Sequence, residues 1–158
     1  MSDTIVAVAT PFGQGAIAVV RLSGESALAV AARAIGGREA DFSPRLAHRV
    51  AVRDEDGATL DEVLLTAFPG PRSYTGENVV EISCHGGVLV TQRILERLVG
   101  CGARVADPGE FTQRAFLNGK MDLTQAEAVM DVISAQTDLA LKAAQHQLKG
   151  RIGEATEA

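Results

Sequence analysis

The most constraining feature of the sequence is a long helical stripe near its carboxyl end. Small or apolar residues recur there at steps of three and four, at Leu123, Ala126, Met130, Ile133, Thr137, Ala140, Ala144 and Leu148. This spacing places them on one face of an α-helix and predicts about 27 residues of helix, roughly 40 Å long. Such a stripe needs a partner. We expect the first helix of a larger bundle, or a helix that pairs with another chain; the alternative is one helix folded back on the preceding domain.

The residues before this helix predict both strands and helices. Alternating or β-branched runs predict strands at residues 4–9, 16–22, 46–53, 62–68, 79–84 and 103–106. Helical patterns follow Ser23, span about 88–99 and follow Asp107. Because strands and helices do not alternate simply, we predict an α+β fold, with packed helices on a mixed sheet, rather than a doubly wound α/β fold.

Two helix starts are predicted from capping residues. Asp107 is a candidate N-cap, since Pro108 follows it and Glu110 comes three residues later. The long helix is predicted to start at residues 122–124, with Glu127 three residues after Thr124.

Composition excludes several classes of function. The net charge is −5 and the chain has no run of Lys or Arg, so it is a poor candidate for binding nucleic acid by itself. The two cysteines match no zinc pattern and make no disulfide framework, so reduced thiols in a cytoplasmic protein are expected. No stretch reaches the roughly 18 apolar residues of a membrane span.

Two nucleotide-binding patterns are absent or misplaced. Gly13 and Gly15, with Ala18, fit the loosest dinucleotide fingerprint, but a strand follows where the glycines should open a helix. We therefore expect these glycines to shape a turn. The single Gly-Lys pair, Gly119 with Lys120, lacks both the earlier glycine and the following Ser or Thr of a phosphate loop.

The Cys84–His85 pair suggests a nucleophile and its base, but adjacent strand residues point to opposite faces. We therefore expect His85 to shape the bend before residues 86 and 87 or to lie at the edge of a site. No cluster of ligands suggests a metal.

Three charged residues stand out. Arg21 comes late in an apolar strand, Glu81 lies inside another, and Lys120 lies in a turn between two helices. Taken alone, each is most simply a solvated surface residue. Together they suit a pteridine or pyrimidine with a carboxylated tail, because a carboxylate accepts two parallel N–H groups and Arg and Lys hold carboxylates. Tyr74, in the polar loop 72–77, adds a flat stacking surface.

Three longer blocks carry a family pattern: residues 10–24 (TPFGQGAIAVVRLSG), 68–87 (FPGPRSYTGENVVEISCHGG) and 108–128 (PGEFTQRAFLNGKMDLTQAEA). In order and spacing they resemble the amino-terminal part of the MnmE (TrmE) family of tRNA-modification GTPases. The resemblance covers essentially the whole chain.

The resemblance implies a domain that binds a tetrahydrofolate one-carbon carrier, 5-formyltetrahydrofolate or 5,10-methylenetetrahydrofolate, and forms a homodimer. Its fold would be similar to the folate-binding unit of the glycine-cleavage T-protein. In the family a helical domain follows, with an inserted GTPase that uses GTP, Mg and K. With the flavoprotein MnmG, the family adds a carboxymethylaminomethyl-type group to carbon 5 of the wobble uridine of tRNA.

Carried over by position, the family's folate contacts fall on Arg21, Glu81 and Lys120, with Glu81 expected at the pteridine edge. No catalytic residue is expected in this part. We expect residues 1–118 to form the folate-binding and dimerisation domain and residues 119–158 to begin the helical domain. Because the GTPase motifs are absent, we expect no GTP hydrolysis by this chain alone.

Two rival functions stay open from the sequence. One is a pure interaction module that dimerises with an incidental or incomplete folate pocket. The other is a free-standing folate-dependent one-carbon transferase, although the chain offers no candidate general acid or base beyond Glu81, His85 and the acidic turn at residues 54–57.

Overall fold

The computed structural model of the protein describes residues 3–10 and 16–157. The chain divides into two compact units, residues 1–120 and 121–158. The turn predicted around Gly13 and Gly15 lies outside the described residues.

The first unit is built on a mixed sheet whose strand order is β3-β4-β5-β2-β1-β6. Its strands are β1 (Ile5–Val8), β2 (Ile17–Ser23), β3 (His48–Arg53), β4 (Thr59–Phe68), β5 (Val79–His85) and β6 (Arg104–Val105). Its α-helices are α1 (Ala27–Ile35), α2 (Val88–Gly100) and α3 (Glu110–Leu117), and a 3₁₀ turn spans Glu39–Asp41. The β1–β6 pair is parallel, and the other neighbours are antiparallel.

One face of the sheet carries the core. Alternate residues of the central strands, such as Leu22 of β2 and Ile82 of β5, are fully buried together with Val30 of α1 and Ile94 of α2. Because strand side chains alternate, the residues between them in sequence must lie on the opposite face. The α+β prediction and the predicted element order are confirmed.

The β3–β4 hairpin shows how local chemistry sets the turns. One carboxylate oxygen of Asp54 accepts hydrogen bonds from the backbone N–H groups of Asp56 and Ala58, each at 2.9 Å. This is the side-chain mimic of a turn that Asp favours, and it closes the hairpin between β3 and β4.

The prediction of Asp107 as the N-cap of α3 is wrong. The helix begins at Glu110, and Gly109 holds the cap position with φ 75°. Glu110 instead turns back, and its carboxylate accepts a hydrogen bond from the N–H of Asp107 at 2.9 Å. Pro108 and Gly109 thus form a turn ahead of the helix.

The second unit is helix α4 (Leu123–Glu157), whose 35 residues exceed the predicted length. Gly150 and Gly153 do not end it, since a glycine costs only about 1 kcal/mol inside a helix. The start is confirmed, but its cap differs from the prediction. Asp122 Oδ1 accepts from the N–H of Gln125 at 2.7 Å, and Gln125 Oε1 accepts from the N–H of Asp122 at 2.9 Å. The capping pair is therefore Asp122 with Gln125, whereas the predicted pair was Thr124 with Glu127.

Gly24, between β2 and α1, offers a test of the fold. Its φ is +145°, and a Cβ there would lie 2.7 Å from Thr4 Cα. Because Thr4 adjoins β1 and cannot easily shift, we expect Gly24→Ala to lower the free energy of unfolding by about 3 kcal/mol or more. Gly57→Ala is the control: its φ is +86°, but no atom lies within 4 Å of the added Cβ, so about 1 kcal/mol is expected. Denaturant unfolding measures both, and equal losses would contradict the close approach at Gly24.

Candidate functional site

Arg21 and Glu81 form the centre of the candidate site. Strands β2 and β5 pair so that Arg21 stands directly opposite Glu81. Their neighbours in sequence are buried in the core, so alternation sends both charges to the face opposite helices α1 and α2. The two residues predicted separately from the sequence therefore meet on one surface.

The Arg21–Glu81 ion pair uses only one carboxylate oxygen of Glu81. Arg21 Nη2 and Nε donate to Glu81 Oε1 at 3.0 and 3.2 Å. Within the described part of the chain, no hydrogen bond reaches Oε2 of Glu81. The two side chains are 26% and 33% exposed, so a ligand can reach the second oxygen.

Two aromatic rings border the Arg21 guanidinium. Its Cζ lies 5.4 Å from the ring centre of Tyr74 and 5.8 Å from that of Phe111. Such distances allow cation–π attraction. The Tyr74 hydroxyl shares a hydrogen bond of 2.9 Å with Thr112 Oγ1, which fixes the ring against α3. Tyr74 was proposed from the sequence as a stacking surface, whereas nothing in the sequence pointed to Phe111.

Lys120 lies beside the same loop. The β4–β5 loop (residues 69–78) is held by Asn118, which donates to Thr75 O at 2.8 Å. A Cβ built on Gly76 would lie 3.3 Å from Lys120 Cγ, so the lysine stem packs against this loop. Lys120 is exposed, and no hydrogen bond or ion pair joins it to Arg21 or Glu81 among the described residues.

A charge network beneath the loop was not expected from the sequence. Arg114 of α3, with a side chain only 9% exposed, pairs with Glu77 at 3.1 Å, with Asp3 at 3.0 Å and with Glu110 at 3.2 Å. Arg104 pairs with Asp3 at 2.5 Å and with Glu110 at 2.7 Å. Only the Glu110–Arg114 spacing, i to i+4 on one helix, could have signalled part of it.

The comparison with protein families decides the membership of the chain. The family model described as GTP-binding protein TrmE N-terminus matches residues 4–120. The chain belongs to the MnmE (TrmE) family.

Curated MnmE relatives agree with this assignment. Proteins named tRNA modification GTPase MnmE are 60% identical over 151 residues in Akkermansia muciniphila (95% of this chain, 34% of that protein) and 56% identical over 153 residues in Opitutus terrae (97% and 33%). One from Geobacter metallireducens is 49% identical over 161 residues (100% and 35%). The chain spans about a third of the length of these relatives. The TrmE-model match includes Arg21, Glu81 and Lys120.

A second feature of this MnmE-family domain lies on the same face of the sheet. A shallow concavity of about 340 Å³ is lined by Ile17, Leu64, Ser83, His85, Arg49 and Glu62, among others. Asp61 accepts from the backbone N–H of His85 at 2.9 Å and contacts its Nδ1 at 2.7 Å. Cys84 is buried on the other face, and burial raises the pKa of its thiol. The expected separation of Cys84 from His85 is confirmed.

Among residues 3–10 and 16–157, no group of three or more His, Cys, Asp and Glu side chains is arranged to hold a metal ion. In those same segments, no helix combines the length and apolarity that crossing a membrane requires.

The network around Asp3 predicts a pH effect. The hydrogen bond from Arg104 holds the pKa of Asp3 at about 2, below its ordinary 3.8. A carboxyl group whose pKa is lowered by folding stabilises the folded state at pH values above its ordinary pKa. This stabilisation is lost as the pH falls towards the pKa of the folded state. We therefore expect Asp3→Asn to destabilise the chain at neutral pH, and the difference from wild type to shrink from about pH 4 to about pH 2.

Urea unfolding at a series of pH values measures this effect. Asp56→Asn, in the exposed β3–β4 turn, is the control and should differ little from wild type throughout. A difference between Asp3→Asn and wild type that stays constant through acid would contradict the assignment.

Proposed function

We propose that this chain binds a tetrahydrofolate one-carbon carrier, 5-formyltetrahydrofolate or 5,10-methylenetetrahydrofolate, at Arg21, Glu81 and Lys120. The observation that carries the proposal is the Arg21–Glu81 pair. Arg21 occupies only Oε1 of Glu81, and Oε2 of Glu81 accepts no hydrogen bond among the described residues. Membership of the MnmE family supports it, as does the presence of Tyr74 and Phe111 beside the pair.

The chemistry of each group fits this ligand class. A carboxylate accepts the two parallel N–H groups of a reduced pteridine edge in bidentate fashion. Aromatic rings beside Arg21 provide a flat apolar surface for the pteridine. Arg21 and Lys120 can hold carbonyl or carboxylate oxygens of the carrier. The residues therefore bind and orient the carrier, and we assign no catalytic role to any of them.

The wider activity is also a proposal. The relatives are named tRNA modification GTPase MnmE, and we propose that this chain serves such an enzyme in the cytoplasm. There, with the flavoprotein MnmG, the one-carbon unit would be used to modify carbon 5 of the wobble uridine of tRNA. GTP, Mg and K would act in a part of the relatives that this chain does not span, since the chain has no phosphate-loop motif.

Calorimetric titration with 5-formyltetrahydrofolate tests the site. We expect Glu81→Gln to weaken binding at least about 30-fold, because losing one partner of a buried charged hydrogen bond costs about 2 kcal/mol or more. Lys120→Met should weaken it about 5-fold, since an exposed ion pair contributes about 1 kcal/mol at most.

The matched control is Asp41→Asn. Asp41 also pairs with an arginine, Arg38, at 3.6 Å, but it lies in the 3₁₀ turn, outside both the proposed folate contacts and the concavity, and this variant should bind as wild type. No binding by wild type, or equal binding by Glu81→Gln, would remove the folate site and leave a pure interaction module.

Homodimer formation is proposed from two exposed apolar side chains on the sheet face that carries Arg21 and Glu81. Ile17 and Leu64 are 65% and 49% exposed and line the same concavity beside β5. Exposed apolar side chains that line one concavity are typical of protein–protein contacts. We propose that two copies pair through this face, next to the candidate site.

Sedimentation analysis tests the dimer. We expect Ile17→Glu to raise the dissociation constant about 10-fold or more, since it buries an unpaired charge. Leu46→Glu, at an equally exposed leucine outside the concavity (56% exposed), should leave it unchanged. A wild-type chain that stays monomeric at high concentration would contradict the proposal.

A further inference from the structure

We infer that Arg114 is a positioning residue of the proposed folate site. It binds no ligand itself; its guanidinium holds the β4–β5 loop against α3, so that Tyr74 lies beside Arg21 and the stem of Lys120 lies against the loop. This inference rests on the proposed function for its ligand, but its structural part can be tested without any ligand.

The first step is the position of the guanidinium. Arg114 Nη1 donates to the backbone O of Asp3 at 2.7 Å and to Glu77 Oε1 at 3.1 Å, while Nη2 donates to Asp3 Oδ1 at 3.0 Å and to Glu110 Oε2 at 3.2 Å. The planar fork of an arginine serves three carboxylates in this way, which a single ammonium cannot copy.

The second step leads from Arg114 into the loop. Glu77, at the end of the β4–β5 loop, accepts a hydrogen bond from Ser23 Oγ at 2.8 Å. Ser23 Oγ and Thr75 Oγ1 are 2.7 Å apart, and both residues are fully buried. Arg114 thus connects α3 with the loop and with the end of β2.

The third step leads from the loop to the proposed ligand contacts. Ser23 is two residues beyond Arg21 on β2, so both lie on the same face of the strand. Thr75 follows Tyr74, whose hydroxyl contacts Thr112 on α3 at 2.9 Å. The network around Arg114 therefore contacts strand β2, which carries Arg21, and the β4–β5 loop, which carries Tyr74.

Lys120 is tied to the same assembly from the other end of α3. Its backbone N–H donates to Ala115 O at 2.8 Å, one residue after Arg114. Its stem lies beside Gly76 of the loop. Displacement of the loop from α3 would consequently change the surroundings of both Tyr74 and Lys120.

The chain supplies its own probe and a matched control. The chain has one tyrosine, Tyr74, and no tryptophan. Near-ultraviolet circular dichroism and tyrosine fluorescence therefore report directly on the β4–β5 loop. Arg104 shares Asp3 and Glu110 with Arg114, but among the described residues it makes no hydrogen bond to Glu77 or Ser23. Arg104→Met therefore removes a charge from the same carboxylates without releasing the loop.

The experiment compares Arg114→Met, Arg114→Lys and Arg104→Met by the ligand-free Tyr74 signal and by titration with 5-formyltetrahydrofolate. We expect Arg114→Met to lose the near-ultraviolet circular dichroism of Tyr74. We also expect it to bind the carrier about 10-fold more weakly or worse, because removing a residue that orients a ligating group typically costs this much affinity. Arg114→Lys should recover thermal stability but not the signal or the affinity. Arg104→Met should retain both.

A double-mutant cycle separates positioning from general stability. If Arg114 acts through Tyr74, Arg114→Met should weaken binding clearly less in the Tyr74→Ala background than in wild type. The reason is that the effects of coupled residues are not additive. Fully additive losses would overturn the inference. Should Arg114→Met fail to fold, Glu77→Gln replaces it, since it breaks the same link at nearly constant volume.

The outcomes for the two proposals differ. Wild type that binds, together with Arg114→Met or Glu77→Gln variants that keep both affinity and tyrosine signal, overturns the inference and leaves the folate site intact. Wild type that fails to bind overturns the proposed function, while the tyrosine signal still decides whether Arg114 holds the loop. Complete rescue by Arg114→Lys would reduce Arg114 to a neutralising charge and also overturn the inference.

Discussion

The antiparallel register of β2 and β5 is the constraint on which the candidate site depends. It sets Arg21 opposite Glu81 while Leu22 and Val80 enter the core. Because side chains alternate along a strand, a slip of one residue would bring the charges into the core and the apolar residues out. Burial of the apolar set therefore enforces the position of the ion pair, and the site needs no separate device to bring its two charges together.

Helix α3 and the β4–β5 loop then complete one side of this surface. The sheet alone would offer an ion pair on an open face. The loop adds Tyr74 and the helix adds Phe111, while Lys120, in the turn after the helix, packs its stem against the loop. Their junction is polar and largely buried around Arg114. A buried charged network is costly when incomplete, so the loop and helix are held in one arrangement only while all of its partners are present.

Local patterns in the sequence predicted most of the fold. Alternation and β-branched residues located the long strands, since this signal acts within a few residues. The start of α3 was misplaced because Asp107 and Pro108 are good capping residues in isolation, while the backbone instead turns at Gly109. The length of α4 was underestimated because the stripe of small and apolar residues was followed only to Leu148, whereas the helix continues to Glu157.

The site could be predicted in part. Arg21 and Glu81 were conspicuous as charges in apolar strands, but their contact depends on a register between residues 60 positions apart, which no local pattern encodes. The same holds for Glu77 and Arg114, 37 positions apart. The names of relatives cannot supply such contacts either, because they depend on three-dimensional packing.

A crystal structure of the chain with 5-formyltetrahydrofolate would show whether Glu81 binds the carrier. We expect the pteridine edge within hydrogen-bond distance of Glu81, with Oε2 engaged and the ring system beside Tyr74. A carrier bound elsewhere on the chain, with Oε2 of Glu81 still facing solvent, would contradict it.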